Sequence, residues 1–198
     1  MSNPWDTRYA GEAFMYGTAP NDFLREQVGM LPTGGRVLCL AEGEGRNAVF
    51  LAERGFAVTG VDGSKVGLEK AQRLAQQRGV KLETIVADLR EFDLGQARWD
   101  AIVSIWCHVP PDLRATLHPK IIAGLKPGGV FLLEHYHPKQ LDYRTGGPPD
   151  AALLVTRADL ERDFATLTEM YAFEGEREIH EGSGHAGRSF VTQFIGRR

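Results

Sequence analysis

Three segments of this 198-residue chain place glycines or a carboxylate directly after a short apolar run. The first, Val37-Leu38-Cys39-Leu40-Ala41-Glu42-Gly43-Glu44-Gly45-Arg46-Asn47, passes from an apolar run through a glycine turn into a helix-like stretch. Glycines there admit a ligand close to the backbone, and a helix N-terminus offers unpaired N–H groups to a carboxylate or phosphate. The second, Val61-Asp62-Gly63-Ser64, sets an acidic residue 19 positions after Gly43. In α/β dinucleotide-type sites a carboxylate at that place accepts hydrogen bonds from the ribose hydroxyls. The third, Val86-Ala87-Asp88-Leu89, puts a carboxylate where it could accept from an exocyclic adenine amine. Taken singly, Asp62 reads as a helix cap and Asp88 as a surface aspartate. Three successive strand ends that converge on one crevice favour a ligand site.

The elements that must position these residues follow from hydrophobic period. From Arg36 onward, short apolar runs alternate with amphipathic stretches, as repeated βαβ units require. Strands are predicted at about 36–41, 56–61, 81–86, 99–105 and 129–135, with helices at about 46–54, 65–78 and 112–124. In the second helix Val66, Leu68, Ala71, Leu74 and Ala75 share one face, and Gly79 ends it. Val37–Leu40 and Ala101–Ile105 are nearly continuous apolar runs, the pattern of strands buried on both faces. Asn21 or Asp22 could cap an earlier helix running to about Val28, which Pro32–Gly35 terminates. After Tyr136, the stretch bearing Pro138, Gly146, Gly147, Pro148 and Pro149 reads as a long binding loop or lid. A helix capped by Thr156 is predicted over 157–164. Two β segments then follow at about 166–179 and 188–196, and the short link between them, 181–187, demands antiparallel pairing.

Composition narrows the class. Twenty-three Lys+Arg against 26 Asp+Glu give a net charge of −3, so the basic surplus of a nucleic-acid footprint is missing and no nucleic-acid partner is expected. The opening Met1-Ser2-Asn3-Pro4-Trp5-Asp6 has no basic region leading into an apolar one, and no apolar run reaches the ~18 residues of a membrane span. One cytoplasmic domain over 1–198 is expected, with a helical lid segment at 1–30, a cofactor core at 36–135, and an acceptor loop and hairpin at 136–198. Cys39 and Cys107 sit in apolar runs without CxxC spacing and read as buried thiols.

Glu42-Gly43-Glu44-Gly45, Val61-Asp62, Ala87-Asp88, Trp99-Asp100 and Leu125-Lys126-Pro127-Gly128-Gly129 resemble, in order and spacing, the successive motifs of the class I S-adenosylmethionine-dependent methyltransferases. The likeness covers about 36–135. It implies an α/β fold: a doubly wound, Rossmann-like, seven-stranded, mostly parallel sheet with an antiparallel C-terminal hairpin. It also implies S-adenosyl-L-methionine as cofactor and S-adenosyl-L-homocysteine as product. Asp62 would hold the ribose, Asp88 the adenine amine, Gly43 and Gly45 the methionine moiety, with Ile105 and Trp106 flanking; Ala41, Glu42, Gly63, Ser64 and Leu89 complete the expected cofactor set. Two departures stand out. Cys39 occupies a position usually acidic in the family, and Ala41 one usually glycine, which leaves Glu42 or Glu44 as substitutes near the amino group.

Phe14-Met15-Tyr16-Gly17 with Pro20-Asn21, the 40–47 run, and Thr145-Gly146-Gly147-Pro148 look like the tellurite-resistance (TehB-like) branch of that family. A methyl on a sulfonium is already activated, so the protein needs mainly to align a nucleophile and exclude water. A soft acceptor such as a thiolate or a selenium or tellurium oxyanion gains from cationic or hydrogen-bonding neighbours. Candidates are His108, His135, His137, Tyr143, Arg144, His180, His185 and Arg188, of which His185 and Arg188 are selected by the resemblance as the catalytic pair. His135 and His137 lack a third ligand at diagnostic spacing, so no metal is expected. Trp5, Tyr9, Phe14 and Tyr16 could form a lid or plain core. A small-molecule acceptor, no membrane partner and a monomer or homodimer complete the expectation. Two rivals remain: a nicotinamide-dependent oxidoreductase, since 43–48 reads GxGxxA, and a cofactor-binding module without catalysis.

Overall fold

The computed structural model describes residues 3–182 and 184–198. Met1 and Ser2 of the expected lid, and Ser183 of the glycine-rich link, lie outside the described residues. Two short helices open the chain, α1 (Pro4–Tyr9) and α2 (Asp22–Gln27). The Asn21 side chain caps α2 by accepting from the Leu24 N–H at 2.9 Å. The core then alternates β1 (Arg36–Leu40), α3 (Arg46–Glu53), β2 (Ala57–Asp62), α4 (Lys65–Gln77), β3 (Glu83–Val86), β4 (Trp99–Ile105), α5 (Pro111–Gly124) and β5 (Leu125–Tyr136). After two 3₁₀ turns come α6 (Arg157–Asp163), β6 (Thr168–Glu181) and β7 (His185–Arg197). Thr156 and Asp159 form a reciprocal capping box at α6, as the sequence suggests.

The seven strands form one sheet in the order β3-β2-β1-β4-β5-β7-β6, parallel through β5, with β7 antiparallel to both β5 and β6. Strand alternation explains the continuous apolar runs. Val37 and Cys39 pack with α3 and α4 on one face, whereas Leu38 and Leu40 pack with α5 and α6 on the other. The fold is thus the doubly wound architecture expected. Two boundaries differ: β5 begins at Leu125, and the final strands extend to within Gly182–Gly184 of each other, so the link is shorter than the predicted 181–187. The extra ladder comes from His180 and Glu181, whose polarity hid them as strand residues while their backbones pair with Ala186 and His185. Among the described residues no helix is long and apolar enough to cross a membrane.

Gly45 shows how closely the layers meet. It precedes α3 at φ +91°, and a Cβ there would lie 2.5 Å from the Ala71 Cβ of α4. Gly45→Ala therefore combines left-handed strain with overpacking, each about 1–3 kcal/mol. It is expected to lower the unfolding free energy by about 2 kcal/mol or more, measured by urea denaturation.

Candidate active site

The strand order reverses between β1 and β4, which lie side by side while their following helices leave toward opposite faces. A crevice opens at the carboxyl ends of strands at such a point. Both strand exits bend sharply: Ala41 has φ +49° and Trp106 φ +56°, non-glycine residues in left-handed backbone. Such strain gathers at ligand sites. It accounts for the glycine usual at position 41 in the family that the sequence resembles.

A cavity of 1040 Å³ fills this crevice. Small-molecule pockets span about 300–1,000 Å³, so it has room for a nucleoside-sized cofactor with a small second molecule beside it. Ala41, Glu42, Asp62 and Gly63 line it from β1 and β2, Asp88 and Leu89 from beyond β3, and Ile105 and Trp106 from β4. Gly43, Gly45 and Ser64 do not line it and act from behind. Gly43 donates its N–H to Asp62 Oδ2 at 2.9 Å, and Ser64 donates its own to Oδ1 at 2.7 Å. Asp62 is thus fixed by two backbone donors, with lone pairs left for ribose hydroxyls. Burial raises its pKa, and those two N–H groups oppose the rise.

Glu42 faces the same space while its Oε1 accepts from the Ala48 N–H at 2.7 Å. Burial pushes its carboxyl up to about 7. Cys39 is buried in the core away from the cavity, where burial pushes the thiol up well above its usual value. Of the two substitutes for an acid at position 39, Glu42 is available, whereas Glu44 is engaged: it accepts from the Met15 N–H at 2.8 Å and pairs with buried Lys70. Lys70 also donates to the carbonyls of Gly11 at 2.9 Å and Ala13 at 2.6 Å. That cluster pins the N-terminal segment against α4. Trp5, Tyr9 and Tyr16 line the cavity as a lid would, but Phe14 packs against the core.

Across from the carboxylates stands a wall of rings. Trp106 stacks on Tyr136 at 4.4 Å between centroids, and His185 meets Tyr16 at 4.6 Å and Trp106 at 5.2 Å. His108 packs against Tyr136 at 5.7 Å; neither ring nitrogen has a hydrogen-bond partner of good geometry, and burial pushes its pKa down to about 3. Gly146–Pro149 of the long loop close the same side. His135 and His137 part company, the first facing His108 and the second Phe190 and Glu174. No group of three or more metal-binding side chains occurs among the described residues.

Residues 37–129 match a family model described as a methyltransferase domain. Over those residues the core is similar to methyltransferase domains. The carboxylates and ring faces of the cavity suit a sulfonium cation such as that of S-adenosylmethionine. The chain is similar to the ubiquinone biosynthesis O-methyltransferase of Paramagnetospirillum magneticum, 36% identical over 61% of this chain and 48% of that protein. It thus spans about half the length of that relative. Its fold is similar to a structure described for the conversion of a disulfide bond into a thioacetal group during echinomycin biosynthesis, with a TM-score of 0.78, 23% identity and coverage of 98% and 90% of the two chains. TehB from Haemophilus influenzae superposes with a TM-score of 0.74 at 16% identity, covering 98% of this chain and 65% of that one. The oxidoreductase rival loses its support.

The two residues selected as catalytic separate. His185 lines the cavity, but Arg188 is exposed and turns away to pair with Glu176. Residues three apart on a strand face opposite sides of the sheet, and both lie within β7. The sequence also missed Arg46, Tyr136 and Glu181. Arg46 and Tyr136 could be suspected from their places beside the glycine turn and at the end of β5, whereas nothing local marks Glu181.

The raised Glu42 pKa has a stability consequence. A carboxyl whose folded pKa lies above its unfolded value stabilises fully below the unfolded value, near 4.3, and loses that contribution as pH rises through about 7. Glu42→Gln removes the titration. Relative to the parent protein, the variant is expected to gain about 1–3 kcal/mol of unfolding free energy between pH 5 and pH 8, measured by denaturation across that range.

Proposed function

We propose that the protein transfers the methyl group of S-adenosylmethionine to a small, soft nucleophile, either a thiol or a chalcogen compound. One observation carries this reading: a single cavity brings Glu42, Asp62 and Asp88 together on one side and the Trp106, His108 and His185 rings on the other. The first group would hold the cofactor, with Asp62 at the ribose and Asp88 at the adenine. The second would hold the acceptor. The bound cofactor supplies a methyl already activated by its sulfonium sulfur, so the protein's task is alignment and exclusion of water. His185, Trp106 and the 146–149 loop do this by orienting and enclosing the acceptor. Polarisable sulfur or selenium suits a wall of aromatic faces. The likeness of fold to TehB supports keeping a tellurium or selenium oxyanion among the acceptors to be tried, and the concave cavity with a net charge of −3 on the chain supports a small molecule over a nucleic acid.

The test is release of S-adenosylhomocysteine from purified protein with S-adenosylmethionine and a panel of thiols, selenite and tellurite. Release above the rate without acceptor is expected with at least one of them. His185→Ala is expected to lower kcat/KM by about a hundredfold, in the range of lost orienting or proton-transfer groups. Arg188→Ala, which removes an exposed pair with Glu176, should stay within about twofold. Cofactor binding with no release for any acceptor would favour a binding module and refute the proposal.

A further inference from the structure

Behind the ring wall, and outside the cavity itself, lies a carboxylate that reaches two of its rings, Trp106 and His185. Glu181 ends β6 with its side chain 3% exposed. Its Oε2 accepts from Arg46 Nη2 at 2.6 Å and from the Trp106 indole N–H at 2.7 Å, and lies 3.6 Å from His185 Nδ1. Its Oε1 accepts from the Asn21 amide at 2.8 Å and lies 3.6 Å from Arg177. Arg177 in turn is shared with Glu134 at 3.3 Å. These donors hold the Glu181 carboxyl down at about 2 against burial, so it is ionised at any working pH.

Arg46 is the one buried guanidinium on the cavity wall, with 8% of its side chain exposed, and its charge is consumed by Glu181. Arg8, the other guanidinium lining the cavity, is exposed at the rim, where it rests on the Trp5 ring at 4.9 Å and reaches the Tyr16 hydroxyl, so water screens its charge. The remaining groups of the wall are neutral near pH 7. Burial lowers the pKa of both His108 and His185 and raises that of Tyr16. The acceptor side therefore carries no uncancelled buried charge, and it faces the carboxyl groups of Glu42 and Asp62. An oxyanion entering it would lose its hydration and meet no free cation beyond the water-screened Arg8 at the rim, whereas a neutral nucleophile avoids that cost.

We propose that Glu181 is a positioning residue that sets the acceptor's charge: by neutralising Arg46 while holding Trp106 and His185, it makes the site select an uncharged thiol or selenol over an oxyanion. This rests on the methyl-transfer reading above and narrows its acceptor class. The acceptor's sulfur or selenium gives up its proton to the neutral His185 imidazole and on to solvent, and bonds to the methyl carbon. The carbon–sulfur bond of the sulfonium breaks with its electron pair retained on sulfur, leaving S-adenosylhomocysteine.

Glu181→Gln keeps the shape and releases the Arg46 charge, so the test is a change of preference. For the parent protein, kcat/KM with 2-mercaptoethanol should exceed that with selenite by about tenfold or more, and in Glu181→Gln that ratio should fall by about tenfold or more. A second readout needs no turnover: with S-adenosylhomocysteine bound, selenite should raise the Tm of Glu181→Gln and leave the parent unchanged. A parallel loss with both acceptors and no selenite effect on Tm would make Glu181 merely structural and overturn the proposal, as would a parent protein that prefers selenite. If neither protein methylates anything, methyl transfer itself has failed, and the Tm comparison alone decides the charge assignment. Should Glu181→Gln not fold, the double variant Arg46→Met, Glu181→Gln removes both charges together. Its rate falls but its preference for the thiol should persist, and loss of that preference would overturn the proposal.

Discussion

Two carboxylates buried near one another, Glu134 and Glu181, impose the constraint around which the acceptor half of this molecule is built. An uncompensated buried charge is untenable, so each must be surrounded by donors. Glu134 takes the Asn21 amide at 2.5 Å and Gln193 at 2.6 Å, and Glu181 takes Asn21, Arg46 and Trp106. Through these bonds β5, β6, β7, α3 and the cap of α2 converge on one point. The two carboxyls settle differently: burial pushes Glu134 up to about 7, while its richer donor set holds Glu181 near 2. One is a proton carrier near neutrality and the other a fixed anion, and only a fixed anion can cancel Arg46 throughout that range.

The cofactor half obeys a local logic. Asp62 is set by the N–H groups of Gly43 and Ser64, both within two short stretches of chain. Its neighbours follow from the carboxyl ends of consecutive strands. Little in this half depends on side chains meeting from distant parts of the sequence.

That difference explains what could be read beforehand. The parallel core was legible because a strand buried on both faces is written as an apolar run and its following helix as a 3.6-residue stripe. Asp62 and Asp88 were legible because a strand end is a definite place. The acceptor side was not, since Asn21 and Glu181 are 160 positions apart, and Arg46 and Glu181 are 135 apart. No periodicity records such a meeting. His180 and Glu181 look like loop because strand propensity is low for polar residues, yet pairing with β7 overrides it. Arg188 is an instructive case: the structure extends β7 back to His185, and the two-residue period of a strand then places the two on opposite faces.

The pinned N-terminal segment reaches beyond architecture. Lys70, 1% exposed, joins Glu44 to the carbonyls of Gly11 and Ala13, and Tyr9 and Tyr16 on the same segment form part of the cavity wall. Any passage of a cofactor-sized molecule beneath that segment strips a buried ammonium of several partners at once. Such an opening is a concerted event, slow beside the flicker of surface side chains. The segment is thus a door on a lock: its opening rate sets a ceiling on how fast a molecule held beneath it is exchanged.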